Sequence, residues 1–365
     1  MRRHAVIVTA LVGVATVFAG SPAHAGAPAG TPVTACGTVV TGDAYLAHDL
    51  SCGDGSAVTV SGNARLDLRG HTISGQGPTS SSQGVFFVEV GDAEVRNGRI
   101  TGFYNGVYGS GSGTKTVRGV TVDGSANGVA AHGDMFETNT AVVRVDRSRI
   151  ESNTTGISLG WFHRAEITRT EVVNNNWGAD VAWQGSAVVS RSTFQDNAVG
   201  LLCSDNTTCE VTASTFTGHQ EEGLFQYESD VQVSGSTFSH NGAGWGGAFG
   251  HTRITGSTFT SNTVGVRSGW SHALELERST LRDNATGYTG EAEDTTLDSI
   301  SQSKLVHNGD GLVSESTAIA LRSVSAIANS GWGIYAPHAT DLGGNRGSGN
   351  GNDPQCVGVV CGPTS

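Results

Sequence analysis

Basic charge is scarce in this chain. It carries 21 Lys plus Arg against 33 Asp plus Glu, and only Lys115 and Lys304 are lysines. Such a surface repels nucleic acid and bare polyanions unless a local patch or a bound cation reverses the sign, so nucleic acid is not an expected partner. Also missing is any Cys-x-x-Cys pair, which makes a thiolate metal site a poor reading of the six cysteines. Beyond the N-terminus no apolar run approaches the length of a membrane span.

The N-terminus itself reads as a secretory signal over 1–25. Arg2 and Arg3 precede the apolar run Ala5 to Ala19, and the small-residue site Ala23-His24-Ala25 follows. Its removal takes two arginines and no acids, leaving 19 Lys plus Arg against 33 Asp plus Glu and a net charge of −14. The expected product is a soluble extracellular monomer. It has a short flexible segment over 26–35 and one folded domain over 36–361. Six cysteines in an exported chain suggest disulfides, and their positions suggest three local pairs: Cys36 with Cys52, Cys203 with Cys209, and Cys356 with Cys361.

The glycines reveal a repeat. Twelve of them, from Gly84 through Gly106, Gly128 and Gly156 to Gly311 and Gly333, recur about every 22 residues, each opening a short apolar strand. Three positions before most of them stands an asparagine: Asn153, Asn175, Asn197, Asn241, Asn262, Asn284 and Asn308, with His219 in the one irregular coil. Three before that comes an apolar residue such as Ile150, Phe194 or Leu281, and two earlier again a Ser or Thr. A further apolar column holds Val145, Ile167, Val189, Val211, Val233, Ile254, Leu276 and Ile300. Each coil is therefore three short strands joined by turns, and the period of two puts Ser and Phe of each Ser-Thr-Phe inward and Thr outward. The expectation is an all-β solenoid of about twelve coils, roughly 60 Å long at a rise of about 4.8 Å. In it the asparagine takes a left-handed turn and bonds its counterpart one coil away, and the glycine allows a sharp bend.

These columns, with Leu66-Asp-Leu-Arg-Gly-His-Thr-Ile-Ser74 and Asp341-Leu-Gly-Gly-Asn345, resemble the first, middle and last coils of the pectate-lyase-like right-handed parallel β-helices. More narrowly they resemble the carbohydrate-binding and sugar-hydrolysis repeats of secreted actinobacterial proteins, over about Cys36 to Cys361. The resemblance implies a right-handed parallel β-helix with disulfide-capped ends and a polysaccharide partner. It also implies a binding face on the outer side of the first strand of each coil, walled by the turns after the third strand. It does not fix a reaction, because this fold hosts lyases, hydrolases, epimerases and proteins with no enzymatic role.

On that first-strand face the outward residues include Arg164, Glu166, Glu210, Asp230, Gln232, His251, Arg253, Glu275 and Glu277. Asp230 beside His251 would tune a general base, and Arg253 could neutralise a uronate carboxylate, as β-elimination requires. Ordinary cross-strand pairing would place the same residue types there. Arg267 is an alternative base, and Arg267, His272 and Glu275 are candidate substrate contacts. Trp161, Trp183 and Trp270 share one offset after the third strand, with Asp205, Tyr227 and Glu228 between them. Their rings suit sugar C–H faces or else cover the rod's own flank. Asp205 and Glu228, from neighbouring coils, could instead serve an acid/base glycosidase. Glu291, Glu293 and Asp294 form an acidic cluster, with Glu315 at the position of Glu291 one coil on, and suit Ca²⁺ better than zinc. The Asp-Pro-His motif of alginate epimerases is absent; Ala336-Pro337-His338 matches it only in part. The outward rank Thr193, Thr215, Thr237, Thr258 and Thr280 would suit ice, although β-propensity explains it. The two functional readings are a polysaccharide lyase or glycoside hydrolase, and a non-catalytic glycan-binding or cell-surface protein.

Overall fold

The computed structural model describes residues 30–79, 81–133, 140–291 and 297–362. The expected leader lies outside them. Every regular element is a β-strand, and the strands wind into a parallel solenoid of about 14 turns. No helix among the described residues is long and apolar enough to cross a membrane.

One coil illustrates the rest: Arg164–Thr168, Glu171–Val173 and Trp177–Val181 are its three strands. Each pairs in parallel with its equivalent one coil later, through Ile167 with Val189, Val172 with Phe194 and Ala179 with Leu201. Like residues stack because the register repeats. The column from Val145 to Ile300 is buried throughout, and Phe194, Phe216, Phe238 and Phe259 pile ring on ring with centroids 4.8–4.9 Å apart. That spacing equals the strand-to-strand distance, so packing each ring requires no deviation from the coil.

The asparagine column forms the expected ladder. Asn175 Nδ2 donates to Asn197 Oδ1 at 3.0 Å and to the carbonyls of Ile150 and Val173 at 3.1 Å, while its Oδ1 accepts from the Asn153 backbone at 2.9 Å. His219 interrupts the series, and its buried Nε2 has no hydrogen-bond partner among the described residues. Two expected causes change. The left-handed residue is the one before the ladder asparagine, as at Ser152, Asn174 and His240 with φ of 56°, 55° and 57°. The glycine is needed for close approach, since a Cβ on Gly156 would lie 2.4 Å from the Gly178 carbonyl oxygen of the next coil.

Two boundaries also shift. Among the described residues strand pairing starts at Thr31–Val33, against residues 44–46, inside the segment expected to be flexible, whose residues 26–29 lie outside the described residues. The coils beyond the expected twelve are the terminal ones, which lack the asparagine–glycine signature and pair instead through short strands such as Leu50–Ser51. All three cysteine pairs are joined as the spacing suggested. Lys115, one of the two lysines, is buried. Its Nζ donates to the carbonyls of Glu89, Gly91 and Ser112 at 2.8–3.1 Å, and burial pushes its pKa down.

Candidate functional site

The first-strand face is polar, as expected, but much of it is self-neutralised. Strand register sets Asp230 beside His251 and Gln232 beside Arg253. The ion pair of His251, however, runs from Nε2 to Glu275 at 3.7 Å. Arg253 donates to Glu275 at 2.9 Å and to Glu277 at 3.2 Å, so both arms of its guanidinium are engaged by protein carboxylates. Glu166 is likewise held by Arg144 at 2.7 Å and Arg164 at 3.3 Å, which lowers its carboxyl pKa against the opposing effect of burial. Glu210 and Asp230 are exposed and make no ion pair among the described residues.

Two expected substrate contacts are not on this face. His272 points inward and is fully buried; its Nε2 meets Thr252 Oγ1 at 3.2 Å, and burial lowers its pKa to about 3. It is a core histidine. Arg267 lies on the outer side of the third strand, in register with Gly246, and is ion-paired to Glu222 across that glycine, which carries no side chain. It cannot act as a base at Asp230.

The turn column joining third to first strands does gather the other candidates. Trp161 and Trp183 stack at 5.1 Å with planes 14° apart, both in left-handed backbone. Asp205 and Asn206 follow one coil on, bonded by their amides to the carbonyls of Tyr227 and Glu228. Glu228 and Asp230 then line an open groove with Asn206, Thr207 and Phe249. Tyr227 meets Phe249 edge-on at 5.5 Å, and Phe249 continues into a second groove with Phe225, Arg267 and Trp270. Trp183 and Trp270 are about half exposed, at 49 % and 55 %. The rings thus line the surface instead of filling the rod.

Sequence reading missed Asp180. It sits at an outward position of the third strand, in register with Ser158 and Leu202, and is half-buried with an Oδ1 that has no hydrogen-bond partner among the described residues. Burial pushes its pKa up to about 6, and the nearby charge of Asp205 adds to the rise. Asp205 accepts a hydrogen bond from Ser204 Oγ at 2.8 Å. A pair of neighbouring carboxyls, one half-buried and one hydrogen-bonded, supplies the two groups that glycoside hydrolysis requires. Nothing in the repeat marks Asp180, because its column carries Ser, Asp, Leu and Phe in turn.

Of the expected acidic cluster, Glu291 is exposed and Glu293 and Asp294 lie outside the described residues. Among the described residues no group of three or more His, Cys, Asp or Glu is placed to hold a metal ion.

A family model for the right-handed β-helix region matches residues 135–281 and 178–350. The chain belongs to that β-helix family. No curated protein matches this β-helix by sequence. Among solved structures it is similar to the periplasmic alginate epimerase AlgG, at 12 % identity and a TM-score of 0.60, with 74 % of this chain and 77 % of that one covered. A double mutant of the same epimerase gives 12 % identity and a TM-score of 0.61, with 79 % and 78 % covered. At this identity the β-helix shares their fold.

Proposed function

We propose that the chain is an extracellular carbohydrate-active protein that binds a polysaccharide across its mid-rod turns and cleaves it by hydrolysis. In this reading Asp180 is the proton donor and Asp205 the second carboxyl of the pair. The carrying observation is the half-buried Asp180 carboxyl, whose Oδ1 has no hydrogen-bond partner among the described residues, whose pKa is raised by burial and by the charge of Asp205, and which stands three residues before Trp183 of the stacked pair. A glycosidase needs one carboxylic acid to protonate the leaving oxygen and one carboxylate to attack the sugar or to activate water. Trp183 and Trp270, with Tyr227 and Phe249 between them, supply ring faces for sugar C–H groups. Three disulfides suit export to an oxidising compartment.

Elimination at Asp230, His251 and Arg253 is the weaker mechanism, because Arg253 and His251 already face Glu275. The name of AlgG supports a polysaccharide partner. C5 epimerisation is not adopted, since the motif expected of alginate epimerases is absent. A non-catalytic glycan binder is the second reading, favoured by the open grooves and by the neutralised first-strand face. Incubating the protein and its Asp180→Asn variant with neutral and acidic polysaccharides, with and without Ca²⁺, separates them. Turnover lost in the variant while binding persists supports the hydrolase; no turnover by the parent on any polymer leaves the binder.

A further inference from the structure

Away from the mid-rod, the outer side of the third strands is hollowed into a groove of about 490 Å³ between Thr79 and His132. Its floor is a file of primary amides, Gln83, Asn105 and Asn127, in register one coil apart. Asn127 Nδ2 donates to Asn105 Oδ1 at 3.0 Å, and among the described residues the side-chain oxygen of Asn127 and the side-chain NH₂ of Asn105 make no other hydrogen bond. Two rings border the amides. Tyr104 is 47 % exposed, and Tyr108 packs against Phe86 with centroids 5.7 Å apart while its hydroxyl donates to the His132 carbonyl at 3.1 Å.

Among the described residues that line it, the groove carries no acid, lysine or arginine. Its single titratable imidazole, His132, is hydrogen-bonded through Nε2 to Ser158 Oγ at 3.2 Å, and desolvation lowers its pKa, so it is neutral at neutral pH. Paired amides can both donate to and accept from vicinal hydroxyls, and a ring beside them covers the apolar face of a pyranose. A uronate would find no cation to pair with and would leave its charge facing a chain with 33 acids.

We propose that this groove is a second glycan-binding site, selective for neutral sugars, with Tyr104 as its stacking platform and Asn105 and Asn127 as its hydroxyl readers. It stands on its own residues and does not depend on cleavage at Asp180 and Asp205. Its position anchors one stretch of a polymer while another crosses the mid-rod.

The test is affinity electrophoresis of the whole protein in gels holding a galactomannan, a xyloglucan, hydroxyethylcellulose or polygalacturonate. Calorimetry with the matching oligosaccharides follows. At least one neutral polymer should retard the protein and polygalacturonate should not. Tyr104→Ala and Asn127→Ala should each weaken the neutral interaction at least tenfold with an unchanged melting curve, and Asp180→Asn should leave it intact. Unchanged binding by Tyr104→Ala, equal retardation by polygalacturonate, or no retardation by any neutral polymer would overturn the proposal. Loss of cleavage in Asp180→Asn with retained retardation keeps the two sites distinguishable.

Discussion

Arg253 Nη1 donates to Glu275 Oε2 across 2.9 Å, and its other arm reaches Glu277 at 3.2 Å. Recruiting this guanidinium to a substrate carboxylate would break both contacts. The pairs are about half exposed, so their contribution to stability is small, roughly 0–1 kcal/mol. Arg253→Ala is therefore expected to keep turnover within a few-fold of the parent and to melt within a few degrees of it. Steady-state kinetics on a polymer that the parent cleaves provides the check, and a loss of a thousandfold would restore the elimination mechanism.

Asp180 gives the opposite expectation. Asp180→Asn removes the proton donor and should lower kcat by at least a hundredfold. In the parent, kcat/KM should fall as pH rises through about 6, the pKa to which burial and Asp205 lift this carboxyl. Asp205→Asn removes one cause of the rise and should move the titration of Asp180, followed by carboxyl-carbon NMR, to lower pH. A titration that stays in place in the Asp205 variant assigns it to another group.

The buried imidazoles set the acid stability of the rod. Burial lowers His163 to about 4, His219 to about 4 and His272 to about 3, all below the usual imidazole value near 6.5. Below about pH 6.5 the unfolded chain binds protons that the folded chain refuses. The stabilisation these groups provide is thus complete above 6.5 and is lost as pH falls toward 4 and 3. Urea midpoints should decline through that window, and His272→Leu or His163→Leu should flatten the slope by up to about 1.4 kcal/mol per pH unit. Asp180 works in the opposite direction, its preference for the protonated form being lost as pH rises from 3.8 through about 6.

The ladder predicts two unequal substitutions. Asn175→Ala strips the bonds to two buried carbonyls and to Asn197 and orphans the Asn153 amide, and should cost roughly 3 kcal/mol or more. His219→Asn fills the gap in the same column, removes an unpartnered buried Nε2, and should stabilise by about 1 kcal/mol. Thermal melts of the two variants, together with the parent, test both signs.

What the sequence made legible follows from repetition. Inward columns such as Val145 to Ile300 recur with one period, so composition and spacing alone revealed their side and register. The ladder was legible as contacts but not as backbone: the left-handed residue varies between Ser152, Asn174 and His240, and only geometry separates it from the recurring asparagine beside it. Site residues break the repeat and so have no column to vouch for them. His272 reads like its polar neighbours until one sees that its strand begins on an inward position, and Asp180 looks like surface until its buried oxygen is located. Register did place Asp230 beside His251, but side-chain rotamers, which no spacing encodes, sent His251 toward Glu275.

The most direct measurement is a digest of neutral and acidic polysaccharides followed simultaneously by new reducing ends and by the absorbance of unsaturated uronates. Hydrolysis through Asp180 and Asp205 predicts reducing ends with no unsaturated product, abolished in Asp180→Asn. Unsaturated product appearing in step with reducing ends, and surviving in Asp180→Asn, would contradict it.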